Sequence, residues 1–194
     1  MEPQPAAGLL LLTGGSGRRF GAPKHDQPHP EGGSWGGRLA EVFAQVFPEG
    51  PIQLLGDPLP DRPDLPFLDD PRQGPAAALR HWAERVDAGP RRWWVAACDQ
   101  VRWTPRSLAA WHARVERADP EAAVWVLAHT QGRLQPLGGF LPGRLVPDLA
   151  RVEARSLLGL VERLPHRILA ARGRAWLDVD TPEALRDWAE SKLR

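Results

Sequence analysis

The chain has 194 residues, with 25 Lys+Arg against 24 Asp+Glu and a formal net charge of +1. That length suits one domain over residues 1–194, whose folding buries roughly 70% of the unfolded surface. The near-neutral balance, without a basic run, excludes a general nucleic-acid binder, and the single cysteine, Cys98, excludes an internal disulfide or a cysteine metal cluster and suits a reducing compartment.

MEPQPAAGLLLL opens without a basic n-region, and its apolar run is too short to span a bilayer, so a cytoplasmic protein without a membrane partner is expected. AGLLLL (7–12) reads as the first strand. After it comes the glycine-rich TGGSGRRFGAPK, then HDQPHPEGGSWGG (25–37), whose prolines and glycines argue against regular structure. GGRLAEVFAQVF (36–47) carries Leu39, Val42, Phe43 and Val46 at helical spacing, PIQLLG (51–56) reads as a second strand, and PFLDD ends a short third. A helix is expected from Pro75 to a stop at Gly89. RRWWVAACD (91–99) reads as a buried strand ending on a lone acid, and Thr104 with Pro105 caps the next helix. AAVWVLAHTQGRLQPLGGFL predicts a hairpin turning near Gln131 and Gly132, which brings one antiparallel element into the sheet. SLLGLVERL reads as a short helix, HRILAA and AWLDV as late strands, and Thr181 with Pro182 caps a final helix. Strands alternating with amphipathic helices build a mostly parallel sheet covered on both faces, a three-layer α/β/α sandwich of Rossmann-like type.

In such a sheet ligands bind beyond the carboxyl ends of the strands, where TGGSGRRFGAPK falls. Consecutive glycines let backbone N–H groups converge on an anion, and Arg18, Arg19 and Lys24 add charge suited to a polyphosphate. Lys24 and Lys192 are the chain's two lysines, so a compact ammonium is retained at this loop where arginine is otherwise the rule. A Walker loop requires Gly-Lys-Ser/Thr, and Ala22 and Pro23 separate Gly21 from Lys24. Gly15, Gly17 and Gly21 give a loose dinucleotide fingerprint, but Pro23, Pro28 and Pro30 stop the helix that fingerprint must open. His25, His29 and Asp26 suggest zinc, yet the same prolines break the i, i+4 helical spacing a zinc pair uses. Asp99 emerges at the carboxyl edge of its strand, suited to a Mg²⁺ bound beside a triphosphate.

LTGGSGRRFGAPK resembles the Leu-Ala-Gly-Gly-x-x-x-Arg-Met-Gly-x-Asp-Lys signature of nucleotidyltransferases of the molybdenum cofactor guanylyltransferase type. DDPRQGPAAAL, VAACDQV, QPLGGFLPGRL and LDVDTPEAL resemble the family's later segments in the same order. The resemblance implies a nucleotide-diphospho-sugar transferase type of fold and transfer of GMP from GTP to molybdopterin, with Mg²⁺ and release of pyrophosphate. It implies nucleotide contacts from Leu12, Thr13, Gly14 and Gly15, from Asp57 and Asp70, and from Lys24 and Asp99. Arg19, Lys24 and Asp99 take the catalytic positions, and Asp99, Asp178 and Asp180 the metal positions. Asp178 and Asp180 stand where guanylyltransferases carry asparagines, as in the related cytidylyltransferases, so a cytidylyl or sugar-phosphate acceptor is one alternative. A nucleotide-binding protein without turnover is the other.

Overall fold

The computed structural model describes residues 6–15, 23–86, 89–177, 179, 181, 183, 185, 186 and 188. Arg18, Arg19, Asp178, Asp180, Pro182 and Lys192 lie outside the described residues. Seven strands form one sheet: β1 (Gly8–Leu12), β2 (Ile52–Leu55), β3 (Phe67–Leu68), β4 (Arg92–Ala97), β5 (Trp125–Thr130), β6 (Arg133–Pro142) and β7 (His166–Ala170). Their order is β3-β2-β1-β4-β6-β5-β7. β1 runs parallel to both β2 and β4, and β5 parallel to β7, while β6 is antiparallel to its neighbours β4 and β5. The expected antiparallel element is therefore β6. Its hairpin turns through Gln131 and Gly132, both at positive φ (51° and 74°), the geometry that matches the twist of a two-residue hairpin.

The helices are α1 (Trp35–Val46), α2 (Pro75–Ala83), α3 (Pro105–Ala118), α4 (Val146–Arg151) and α5 (Leu157–Glu162). Side chains alternate across the strands, so one face of β1 buries Leu9 and Leu11 in a core with Leu39, Val42 and Phe43 of α1 and Leu108, Trp111 and Val115 of α3. The other face buries Leu10 and Leu12 with Leu79 and Trp82 of α2, Leu149 of α4 and Leu160 of α5. Each such side chain contributes about 1.5–3 kcal/mol on leaving water, so both faces of the sheet must stay covered. This is the three-layer sandwich that the sequence pattern predicts.

Five elements differ from the sequence reading. α1 begins at Trp35, inside the stretch expected to be irregular, because Ser34 caps it by accepting the Gly37 N–H at 2.9 Å. α2 ends at Ala83 rather than reaching Gly89, where bare glycine faces the Trp93 indole, 2.7 Å from where a Cβ would stand. The 3-10 turn Gly143–Leu145 and α4 carry no sequence expectation, being too short for a periodic signal. The described residues of AWLDV form no strand: Arg174–Trp176 make a 3-10 turn that seats Trp176 against Trp103 and Trp111, ring centroids 4.9 and 5.0 Å away.

Candidate active site

The parallel strands bring their carboxyl ends to one edge, and the expected site residues described by the structure collect there. Thr13, just past β1, donates its N–H to the Leu55 carbonyl (2.9 Å) and its Oγ1–H to the Asp57 carbonyl (2.6 Å). These bonds lock the first loop to the segment after β2. Gly14 approaches so closely that a Cβ there would stand 2.3 Å from Asp70 Oδ2. Gly56, at φ +125°, faces Gly14 N at 2.2 Å from its own absent Cβ, so that position requires glycine, while a side chain at Gly14 would displace the Asp70 carboxylate. Gly14, Gly56, Asp57, Asp69, Asp70 and Arg72 line a cavity of about 120 Å³ beside the loop.

Sequence reasoning did not single out Arg72. Its N–H is held by Asp70 Oδ1 at 2.7 Å, its φ is +56°, and its Nη2 reaches Asp57 Oδ1 at 3.3 Å. The signal was Asp-Pro-Arg, an acid two residues ahead of a residue whose backbone its side chain can hold in a turn.

Lys24 Nζ donates to Asp99 Oδ2 at 3.1 Å, across 75 positions of sequence, and both side chains are mostly buried. Each partner is anchored by its own surroundings. Lys24 leads the stretch ahead of α1, where Gln27 N–H bonds the Lys24 carbonyl, Gly36 N–H the His25 carbonyl and Trp35 N–H the Gln27 carbonyl. Asp61 clamps the foot of that helix, accepting the Ser34 N–H and Oγ–H at 2.7 Å each. Burial opposes ionisation of Asp61, but these two bonds outweigh it and hold the carboxyl below its usual range. His29 accepts the Glu31 N–H on Nδ1 and presents Nε2 to the Val101 carbonyl at 3.3 Å, while His25 Nε2 faces Asp26. Both histidines are thus spent on loop structure.

Asp99 leaves β4 through a turn in which Cys98 N–H bonds the Leu12 carbonyl and Gln100 N–H the Ala97 carbonyl. Gln100, another residue sequence reasoning gave no role, braces the turn from within: its Oε1 faces Ala97 N–H at 3.4 Å and its Nε2 donates to the Leu137 carbonyl at 3.2 Å. Val179 donates its N–H to the Asp99 carbonyl at 3.2 Å. Burial, with the Asp99 charge next to it, pushes the Cys98 thiol well up, so it packs as a neutral side chain.

The arrangement offers a cation and a hard carboxylate at one point, a glycine-lined approach to them, and acids flanking a small cavity. Among the described residues no three His, Cys, Asp or Glu gather into a metal cluster. A single strand-ending carboxylate suits a Mg²⁺ that keeps several waters and takes its other ligands from a bound triphosphate. The arrangement does not suit zinc.

Residues 9–171 match the family of MobA-like NTP transferase domains, and the chain belongs to that family. A probable molybdenum cofactor guanylyltransferase of Rhodopirellula baltica is 30% identical over 94% of this chain and 91% of its own. Among solved structures, the molybdopterin-guanine dinucleotide biosynthesis protein A of Archaeoglobus fulgidus superposes with a TM-score of 0.71 at 17% identity, covering 95% of this chain and 98% of its own. Rv0371C of Mycobacterium tuberculosis, solved in complex with manganese, gives a TM-score of 0.64 at 20% identity over 97% of this chain and 100% of its own. Both share the fold. No helix among the described residues is long and apolar enough to cross a membrane.

Proposed function

We propose that this MobA-like nucleotidyltransferase moves GMP from GTP to the phosphate of molybdopterin, releasing pyrophosphate, with Mg²⁺ as cofactor. The observation that carries the reading is the Lys24–Asp99 contact of 3.1 Å at the carboxyl edge of the sheet, beside the Gly14–Asp70 cavity. The name of the Rhodopirellula relative supports the choice of nucleotide and acceptor.

Phosphoryl chemistry asks the protein for positioning and for neutralisation of charge rather than for covalent help. One phosphate oxygen of the acceptor bonds to the α-phosphorus of GTP while the bond to the bridging oxygen breaks, and pyrophosphate leaves with that electron pair. Asp99 is the group that would hold Mg²⁺, which supplies charge on the α-phosphate and the leaving group. Lys24 then shifts its ammonium from Asp99 to the triphosphate, and the backbone of Thr13, Gly14 and Gly15 receives the nucleotide. Asp57 and Asp70 accept hydrogen bonds from the base and ribose. Arg19, Asp178 and Asp180 complete the proposed set from outside the described residues.

Pyrophosphate release, measured for each nucleoside triphosphate with molybdopterin and with sugar or alditol phosphates, tests this. GTP with molybdopterin is expected to give release; CTP with a sugar or alditol phosphate would favour the cytidylyl alternative. Binding without release in every combination would leave a nucleotide-binding protein. The matching triphosphate at 100 times its dissociation constant should add about 2.7 kcal/mol of stability.

A further inference from the structure

At the amino edge of the sheet, the end of β4 opposite Asp99, a cavity of about 460 Å³ opens between the close of α2, the turn ahead of β4 and the start of α4. Ala83, Val86, Pro90, Ala122, Val146 and Pro147 give it an apolar wall. Its volume is that of a site for a small organic ligand. Ala122 is buried in that wall at φ +51°, in the left-handed region where glycine is the usual residue, so a methyl is kept there against backbone preference. Three charged residues, Arg91, Arg144 and Glu121, stand around the cavity. Arg91 is already neutralised, donating to Glu116 Oε2 at 3.0 Å and to the Pro120 carbonyl. Arg144 and Glu121 are exposed, and neither makes an ion pair among the described residues, with each other or with any other group. Arg91 holds them apart. Its backbone carbonyl takes the N–H of Gly143, the neighbour of Arg144, at 3.0 Å, while its guanidinium lies on Pro120, the neighbour of Glu121.

We propose that this cavity binds a free α-amino acid with a large apolar side chain, its carboxylate on Arg144, its ammonium on Glu121 and its side chain in the hollow. An apolar wall alone would take any water-averse molecule, but two unpaired charges of opposite sign select a ligand that carries both. Charge-assisted hydrogen bonds of about 2.8 Å on either side of a zwitterion bridge head groups that stand too far apart to pair with each other. With Arg91 neutralised by Glu116, a lone anion would meet the repulsion of Glu121 and a lone amine that of Arg144, whereas a zwitterion meets an attraction at each. The site goes beyond nucleotidyl transfer and does not depend on it. Gly14, Lys24 and Asp99 lie past the carboxyl ends of β1 and β4, whereas the cavity lies at the other end of the same strands, so nucleotide and amino acid have separate places.

L-phenylalanine is a direct probe, and its controls are phenethylamine, which lacks the carboxylate, and 3-phenylpropionate, which lacks the ammonium. NMR titration of the full chain should show L-phenylalanine binding with a dissociation constant of about a millimolar, as a ligand of that size allows. Each control should bind at least about fivefold more weakly, the return of one charge-assisted bond at an open mouth. Arg144→Gln should bring L-phenylalanine down to the affinity of phenethylamine without weakening phenethylamine itself, and Glu121→Gln should bring it down to that of 3-phenylpropionate without weakening 3-phenylpropionate. Both positions are exposed, so the Tm should hold in each variant. An excess of GTP or of CTP should leave every affinity unchanged. Failure of both L-phenylalanine and L-leucine to bind well above a millimolar, equal binding of the probe and its controls, an equal loss for all of them in either variant, or displacement by a nucleotide would overturn the site.

Discussion

Strand β4 carries a charge at each end, and the two are treated differently. At its start the Arg92 side chain is fully buried, donating to Glu116 Oε1 at 2.7 Å, to Asp119 Oδ2 at 3.1 Å and to the Asp119 carbonyl. Asp119 is satisfied in turn by the N–H groups of Ala123 and Val124. At its far end Asp99 is a quarter exposed and holds one oxygen against Lys24. The closed network fixes where α3 and its following turn meet the sheet. The open pair, by contrast, keeps a carboxylate and an ammonium available to a ligand at the edge where this class of sheet binds one.

That contrast sets the expected outcomes. Arg92→Met should cost about 3–5 kcal/mol, because it leaves a buried carboxylate without its cation, and at about 2–4 °C per kcal/mol the Tm should fall by about 10 °C. Turnover per folded molecule should hold, so a variant that melts as the wild type does would show the network to be dispensable. Asp99→Asn should reverse the pattern, with kcat falling about 10³-fold, or about 4 kcal/mol, at a nearly constant Tm. Near-normal rates at limiting Mg²⁺ would remove Asp99 from the metal site.

Lys24→Arg keeps the charge but replaces the compact ammonium that meets Asp99 at 3.1 Å with a longer planar group. Turnover should drop about 10²- to 10³-fold, as when one preorganised donor is lost. Lys192→Arg is the control and should be silent; equal tolerance at both positions would mean that Lys24 carries no special task. The smallest effect concerns acid. Burial opposes ionisation of Asp119, but the Ala123 and Val124 N–H groups and Arg92 outweigh it, so its folded pKa lies below the ordinary value of 3.8. Its contribution is complete above that value and fades as pH falls from about 4 toward the lowered folded pKa. Denaturation midpoints between pH 5 and 2 should show this loss in the wild type and less of it in Arg92→Met.

Much of the fold was legible in the sequence. Apolar runs such as Leu9–Leu12 and Trp93–Ala96, and the cap at Thr104, act through neighbours close in the chain. The family's ordered motifs also pointed to Thr13, Gly14, Lys24 and Asp99, which the structure gathers at one edge of the sheet. Ala175 and Trp176, the start of the expected strand AWLDV, fold otherwise because an apolar pair after a strand carries no mark of what it will pack against. Trp103 and Trp111 turned that segment into a 3-10 corner, a tertiary effect. Trp94 of β4 and Trp111 of α3 both donate to the Gly138 carbonyl and join those elements to β6.

The sequence alone determined the alternation of strand and helix, the antiparallel hairpin at Gln131–Gly132 and the cluster of charge after the first strand, because each depends on local backbone preference and side-chain period. Only the tertiary structure decided that Lys24 would meet Asp99 and that Arg72 would reach Asp57. Those contacts join segments far apart in the chain, and they exist because parallel strand pairing gathers the loops of separate strands at a single edge.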